Sequence, residues 1–305
     1  MMKGWLTFSE KRAKKTRVQN LMKPYKKYLV DEGFHFGEWC QPDIDNGAAM
    51  KKAMMTGAPE VATAYFYRSA SLMARIAKVL GYGSDAERFE ELAQNVKKAY
   101  RHNCTEDGKI SSDRQCEYVR PIAFGLIDGE EAQTAADTLD RMVRENGYHL
   151  NTGFLSTPDL CAVLADHGHT DTAVRLLLQE DCPGWLYAVK KGATTIWETW
   201  DGIREDGTVH DSLNHYSYGA VTGWLFGGLC GIRMDAGELR IVPHPHPSLG
   251  YAKAAWDSPC GRIESGWRYE GENVTYSVAV PEGITAKLVL PDGREELLTA
   301  GEHRL

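Results

Sequence analysis

Residues 192–202 read Gly-Ala-Thr-Thr-Ile-Trp-Glu-Thr-Trp-Asp-Gly. One carboxylate, Glu198, stands between two indoles, Trp197 and Trp200, with Asp201 directly after; Asn214-His215-Tyr216 follows a short way on. A pyranose shows C–H bonds on its faces and hydroxyls around its rim. Flat apolar side chains beside a carboxylate are therefore what a sugar site needs, and a carboxylate in partly dry surroundings suits proton transfer. The same residues also fit a buried loop in which the indoles are core and the glutamate caps a helix. Residue types alone leave both readings open.

The elements that must position these groups are helical first. Val61, Tyr65, Leu72, Ile76 and Leu80 predict a helix over 59–80 with that face buried. Ser84-Asp-Ala-Glu87 reads as a capping box opening a helix through Phe89, Leu92, Val96 and Tyr100. Asp128-Gly-Glu-Glu131 opens another, carrying Ala135, Leu139 and Met142. Ser156-Thr-Pro-Asp159 starts a third, with Leu160, Val163 and Leu164 inward. Further helices are predicted at 8–31, 113–126, 170–180 and 215–231, giving a series of αα-hairpins.

After Gly231 the period changes to two. Residues 238–242 and 274–280 alternate as half-buried strands, Val274, Tyr276, Val278 and Val280 sharing a face. Turn signals at 258–261, 270–273, 281–283 and 291–293 separate the strands of a small antiparallel sandwich. The expected domains are 1–232, helical, and 233–305, β, the second acting as packing support.

The 305 residues, 43% hydrophobic and 25% charged, suffice for a sizeable core. A net charge of −7 argues against a nucleic-acid partner. No apolar run reaches the ~20 residues of a membrane helix, and the start lacks the apolar core of a signal peptide. Seven scattered cysteines form no C-x-x-C pair and read as free thiols. A cytoplasmic protein is expected, secretion remaining open if sequence precedes Met1. No cofactor is expected. The histidines form no metal-ligand pattern, and His244-Pro-His246 is read as incidental. Lys11-Arg-Ala-Lys-Lys-Thr-Arg17, with Lys23, Lys26 and Lys27, reads as the solvated face of a helix.

The 192–202 stretch resembles the GATT-[IL]-WE-x-W-x-G signature of the α-L-rhamnosidases of glycoside hydrolase family 78. Phe36-Gly37-Glu38-Trp39 resembles the family's G-D-W block, and 62–69, 147–158, Trp185-Leu-Tyr187 and 214–219 match further blocks in order. The resemblance implies an (α/α)6 six-hairpin toroid followed by a β domain. It also implies inverting release of terminal α-L-rhamnose from a rhamnose-containing oligosaccharide or glycoside. In that chemistry an acid protonates the leaving oxygen and a carboxylate activates water, the pair standing about 6.5–9.5 Å apart. Glu198 matches the general base. Trp39, Glu38, Trp197, Trp200, Asp201 and His215 are the implied substrate contacts, with Trp185 and Tyr187 packing near the rim.

The family's general-acid block, D-C-P-x-R-x-E-x-x-G-W, does not occur, and none of Glu38, Asp43 and Asp45 matches it. About eight helices also fall short of twelve. A partial toroid, N-terminally incomplete, is therefore expected, with apolar stripes near Trp5, Leu21 and Leu29 and near Val221, Leu225 and Leu229 left for a homo-oligomer or a complementing chain. The alternatives are a non-catalytic carbohydrate-binding or structural remnant and another sugar-processing enzyme on the same barrel.

Overall fold

The structure, a computed structural model, describes residues 2–15, 22, 25–56, 58–235 and 237–305. Arg17, Leu21 and Lys23 lie outside the described residues. The chain divides into two compact units, Met1–Thr157 with Thr199–Asp201, and Pro158–Glu198 with Gly202–Leu305.

The first unit is helical: α1 (Met2–Ala13), α2 (Asn46–Thr56), α3 (Pro59–Val79), α4 (Gly83–Cys104), α5 (Gln115–Ala123) and α6 (Gly129–Glu145). The helix expected over 8–31 is instead α1 and, further on, a 3-10 turn at Lys26–Tyr28. α3 has its expected span, and of its expected face Val61 is buried and Tyr65 half-buried, but the rest of that face is turned out. Ala64, Phe66, Ala70, Met73, Ala74 and Ala77 are buried, whereas Leu72, Ile76 and Leu80 are exposed. Ala64, Ala70 and Ala74 let α3 lie close against Phe89, Leu92, Ala93 and Val96 of α4, so close approach rather than side-chain size selects the buried face.

The expected capping box does not form. α4 starts at Gly83 with Tyr82 at its N-cap, so Ser84 falls inside the first turn and no side chain caps the helix, while Asp85 pairs with Lys3 of α1. Arg88 pairs with Glu10 at 2.8 Å, and Leu6 is buried between these bridges. Leu29 is likewise buried, so of the first expected stripe Trp5 alone is seen exposed.

The second unit carries α7 (Thr157–Asp166), α8 (Thr170–Leu177) and α9 (Trp185–Lys190). The last predicted helix is realised over 217–229 with two changes of pitch: a 3-10 turn, one α turn and a π turn. The Trp224 ring lies across Gly228, where a Cβ would meet the indole nitrogen at 2.1 Å. Val221 and Leu229 are buried there, contrary to the second expected stripe.

Eight strands follow: β1 (Ile232–Asp235), β2 (Glu238–Ile241), β3 (Tyr251–Ser258), β4 (Gly261–Glu270), β5 (Asn273–Val280), β6 (Ala286–Val289), β7 (Glu295–Leu298) and β8 (Gly301–Arg304). They form two four-stranded sheets, β1-β2-β6-β7 and β3-β4-β5-β8. The sandwich is mixed rather than purely antiparallel. β2 and β6 run parallel, which the intervening hairpins of the other sheet permit by supplying a long connection. Leu239, Ile241, Ala286 and Leu288 meet Ile263, Val278 and Val280 in one core, with Tyr276 against it as the alternation predicts.

His244 and His246 make structural contacts. His244 Nε2 lies 2.9 Å from Asp166 Oδ1 and His246 Nε2 3.2 Å from Asp171 Oδ1, while Arg233 grips Asp166 with two nitrogens at 2.7 and 2.9 Å. Burial acts to raise the Asp166 carboxyl, but the His244 and Arg233 hydrogen bonds outweigh it and hold the pKa at about 2. None of the seven cysteines forms a disulfide. Burial pushes the Cys116 and Cys161 thiols up to about 12, which leaves them as inert core.

Candidate active site

Residues 196–215 fold as an irregular antiparallel ribbon. The Glu198 amide donates to Ser212 O at 2.8 Å, His210 to Gly202 O at 3.0 Å, Arg204 to Thr208 O at 2.9 Å and His215 to Ile196 O at 2.7 Å. The tip is local in origin: Asp206 Oδ1 accepts from the Thr208 amide at 2.9 Å, and Gly207 takes a left-handed φ of 81°. Glu198 is thus on a ribbon and caps no helix.

The Glu198 side chain is half-buried. Its Oε2 accepts from the Ser212 amide at 3.2 Å, and its Oε1 takes no hydrogen bond among the described residues. The ribbon brings His215 beside Ile196. His215 Nδ1 accepts from the Ser217 amide at 3.4 Å, which assigns the ring proton to Nε2, and the ring stacks on Tyr216 at 5.1 Å.

Trp197 is only 4% exposed, edge-on to Tyr187 at 6.5 Å, with Gly202 so close that a Cβ would lie 3.1 Å from the indole. Tyr187 donates to Ile203 O at 2.8 Å, bracing the ribbon, and Trp185 to Tyr218 O at 3.0 Å in the turn that follows it. Trp200 and Asp201 belong to the first unit; Trp200 is 7% exposed and Asp201 half-buried. Neither indole presents the open face that a sugar platform requires. Both behave as core, as the structural reading of the sequence allowed.

In the first unit Glu38 is also turned inward. Its Oε1 accepts from the amides of Gly153 and Ser156, each at 2.9 Å; its Oε2 accepts from Ser156 Oγ at 3.0 Å and pairs with Arg120. With both oxygens doubly occupied, it has no lone pair to offer a sugar, so the substrate contact expected of it gives way to a structural bond set. Arg120 is fully buried and also pairs with Glu60, which accepts from the Tyr100 hydroxyl at 2.7 Å. Burial pushes the Glu38 carboxyl up against the pull of Arg120 and its donors, whereas the two glutamates keep the buried guanidinium charged.

Trp39 and Cys40 follow in the left-handed region, at φ 53° and 52°, a conformation costly for side chains of this size. The Phe154 amide donates to Trp39 O at 3.1 Å, and Gly153 admits no side chain, since a Cβ would stand 1.9 Å from that oxygen. The turn holds Trp39 edge-on to Phe36 at 5.0 Å, and Phe36 edge-on to Phe34 at 4.9 Å. Phe34 and Phe36 are 45% and 52% exposed, so the open aromatic surface of this block comes from them, with Trp39 behind.

The other two acids are committed elsewhere. Asp43 pairs with Arg114 at 3.3 Å, and Asp45 accepts from the Ala48 amide at 3.0 Å at the start of α2. Sequence reasoning missed Arg120, Glu60 and Ser156. The one signal was an arginine set among apolar neighbours in Tyr118-Val-Arg-Pro-Ile122.

Comparison with known proteins gives a consistent result. The family model described as the bacterial alpha-L-rhamnosidase 6 hairpin glycosidase domain matches residues 1–229, and that of the bacterial alpha-L-rhamnosidase C-terminal domain matches 237–304. An alpha-L-rhamnosidase of Streptomyces avermitilis is 38% identical over 239 residues, 76% of this chain and 23% of that protein. One from an Alteromonas species is 31% identical over 302 residues, 95% of this chain and 31% of its own length. The crystal structure of the S. avermitilis alpha-L-rhamnosidase complexed with L-rhamnose superposes with a TM-score of 0.84 at 31% identity, covering 99% of this chain and 30% of that one. The native enzyme of Aspergillus terreus gives 0.82 at 27% identity, covering 90% and 33%. The chain therefore spans about a quarter to a third of the length of these relatives.

Proposed function

Because this chain belongs to the bacterial α-L-rhamnosidase family, we propose that it acts in the removal of terminal α-L-rhamnose from rhamnosides by inverting hydrolysis, with Glu198 as general base. One observation supports this most: Glu198 is pinned by the Ser212 amide through Oε2, and Oε1 has no hydrogen bond among the described residues. A base needs this division, one oxygen fixing the carboxylate and the other meeting the water whose proton it takes. His215 Nε2 serves as a donor to a sugar hydroxyl. Trp197, packed against Tyr187 and Gly202, supports the ribbon that carries Glu198.

The acid of the pair is a different matter. Glu38, Asp43 and Asp45 are each bound by other groups of the first unit, which argues against all three as proton donor. This favours a second reading, in which the chain holds rhamnose without turning it over. Incubation with an aryl α-L-rhamnoside, followed by ¹H NMR of the first-formed sugar, separates the two. Release of β-L-rhamnose supports inverting hydrolysis, first appearance of the α anomer contradicts it, and saturable binding without release supports the second reading.

A further inference from the structure

The β3-β4-β5-β8 sheet has one covered face. Trp267 donates to Leu229 O at 2.7 Å and Ser265 to Cys230 O at 2.5 Å, tying that face to the end of the helical run, while Ile263, Val278 and Val280 enter the sandwich core. The opposite face carries an open groove of about 550 Å³. Register explains its shape. Lys253, Gly266, Ser277 and Arg304 lie in one row across the four strands, beside the row Tyr251, Arg268, Thr275. Gly266 and Ser277 make a low floor, and longer side chains rise around it.

The charges of this groove are unusual in a chain of net charge −7. Lys253 is neutralised by Glu264 at 2.7 Å, and Glu270 is the one side-chain carboxylate of the groove's lining, against Arg268 and Arg304. Arg268 and Arg304 are exposed, and among the described residues neither forms an ion pair. Instead the Arg268 guanidinium lies over the Tyr251 ring, 4.7 Å from its centroid. A cation–π contact restrains the guanidinium without cancelling its charge, leaving its N–H fork for a planar anion. The hydroxyls of Thr275 and Ser277 lie on the same face.

We propose that this groove binds the carboxylates of a uronate-bearing oligosaccharide, Arg268 and Arg304 each taking a carboxylate and Thr275 and Ser277 meeting sugar hydroxyls. The choice of a sugar rests on the glycoside reading above; the choice of a carboxylated one rests on the two guanidiniums that form no ion pair among the described residues. Such a site would hold an acidic polymer by the β domain, beyond the packing role expected of it.

The test is calorimetric titration of the full chain with trigalacturonate at low salt, beside a neutral trisaccharide and a sulfated one. Trigalacturonate should bind, weaken at least tenfold between 50 and 500 mM NaCl, and exceed both other sugars by at least tenfold. The double variant R268A/R304A should lose at least tenfold in affinity, and S277W, which fills the floor, should do the same at unchanged melting temperature. E198Q should bind trigalacturonate as the wild type does, and R268A/R304A should leave aryl rhamnoside turnover unchanged, so the groove and the Glu198 site stand or fall separately. Absence of trigalacturonate binding, equal binding of the neutral sugar, tighter binding of the sulfated one, or wild-type affinity in both variants would each overturn the proposal.

Discussion

Ser212 holds Glu198 twice: its amide donates to Glu198 Oε2 at 3.2 Å, and its carbonyl accepts from the Glu198 amide at 2.8 Å. Both bonds come from the Ser212 backbone, so the carboxylate is aimed by the ribbon itself. The Ser212 hydroxyl has a separate task, bridging the amide and carbonyl of Asn214 at 3.2 and 3.1 Å. This arrangement makes the W-E-x-W signature a positioning device whose indoles are packing and whose carboxylate is the presented group.

If the base is present and the acid is not contributed by Glu38, Asp43 or Asp45, leaving-group chemistry should reveal it. General acid assistance contributes about 10²–10⁴ in rate, and a nitrophenolate leaves without it. The chain should therefore hydrolyse 4-nitrophenyl α-L-rhamnoside at least a hundredfold faster than methyl α-L-rhamnoside. Comparable rates on the two would place a working acid within the chain.

Arg120 sits between two buried carboxylates, Glu38 and Glu60. Truncating one partner of such a set leaves charge without compensation, at a cost of about 3–5 kcal/mol. R120M should lower the unfolding free energy by about that amount in urea titration. A loss under about 1 kcal/mol would mean that the set adds little to stability.

The Asp166 clamp predicts an acid-sensitive contribution. Asp166 has a folded pKa of about 2, below the unfolded value of about 3.9. A depressed folded pKa stabilises above the unfolded value, and that stability is lost as pH falls from about 4 toward about 2. The side chain is 36% exposed, so solvent screening reduces the effect below what the shift alone would give. D166N should be less stable than wild type at pH 7 and should show a shallower decline between about pH 4 and 2 in melting temperature. Parallel curves for the two proteins would contradict the clamp.

The legible part of the fold was what periodicity encodes. Strand β5 buries Val278 and Val280 as its alternation predicts, and α7 buries Leu160, Val163 and Leu164. Periodicity failed where packing overrides size, as on α3, whose alanines face inward while Leu72, Ile76 and Leu80 face solvent. It could not show the Glu38–Arg120 pair, which joins residues 82 positions apart. Nor could it tell a presented carboxylate from a consumed one. Glu198 and Glu38 both flank tryptophan, yet among the described residues one keeps an oxygen without a hydrogen bond while the other has both oxygens bound.

The most direct test of the central claim is the Glu198→Gln variant assayed for both turnover and binding. Gln keeps the size and the bond from the Ser212 amide but cannot take a proton from water. The account predicts that kcat on 4-nitrophenyl α-L-rhamnoside falls by about 10²–10⁴ while L-rhamnose affinity stays within about threefold. Wild-type turnover in E198Q would contradict the assignment of Glu198 as the base.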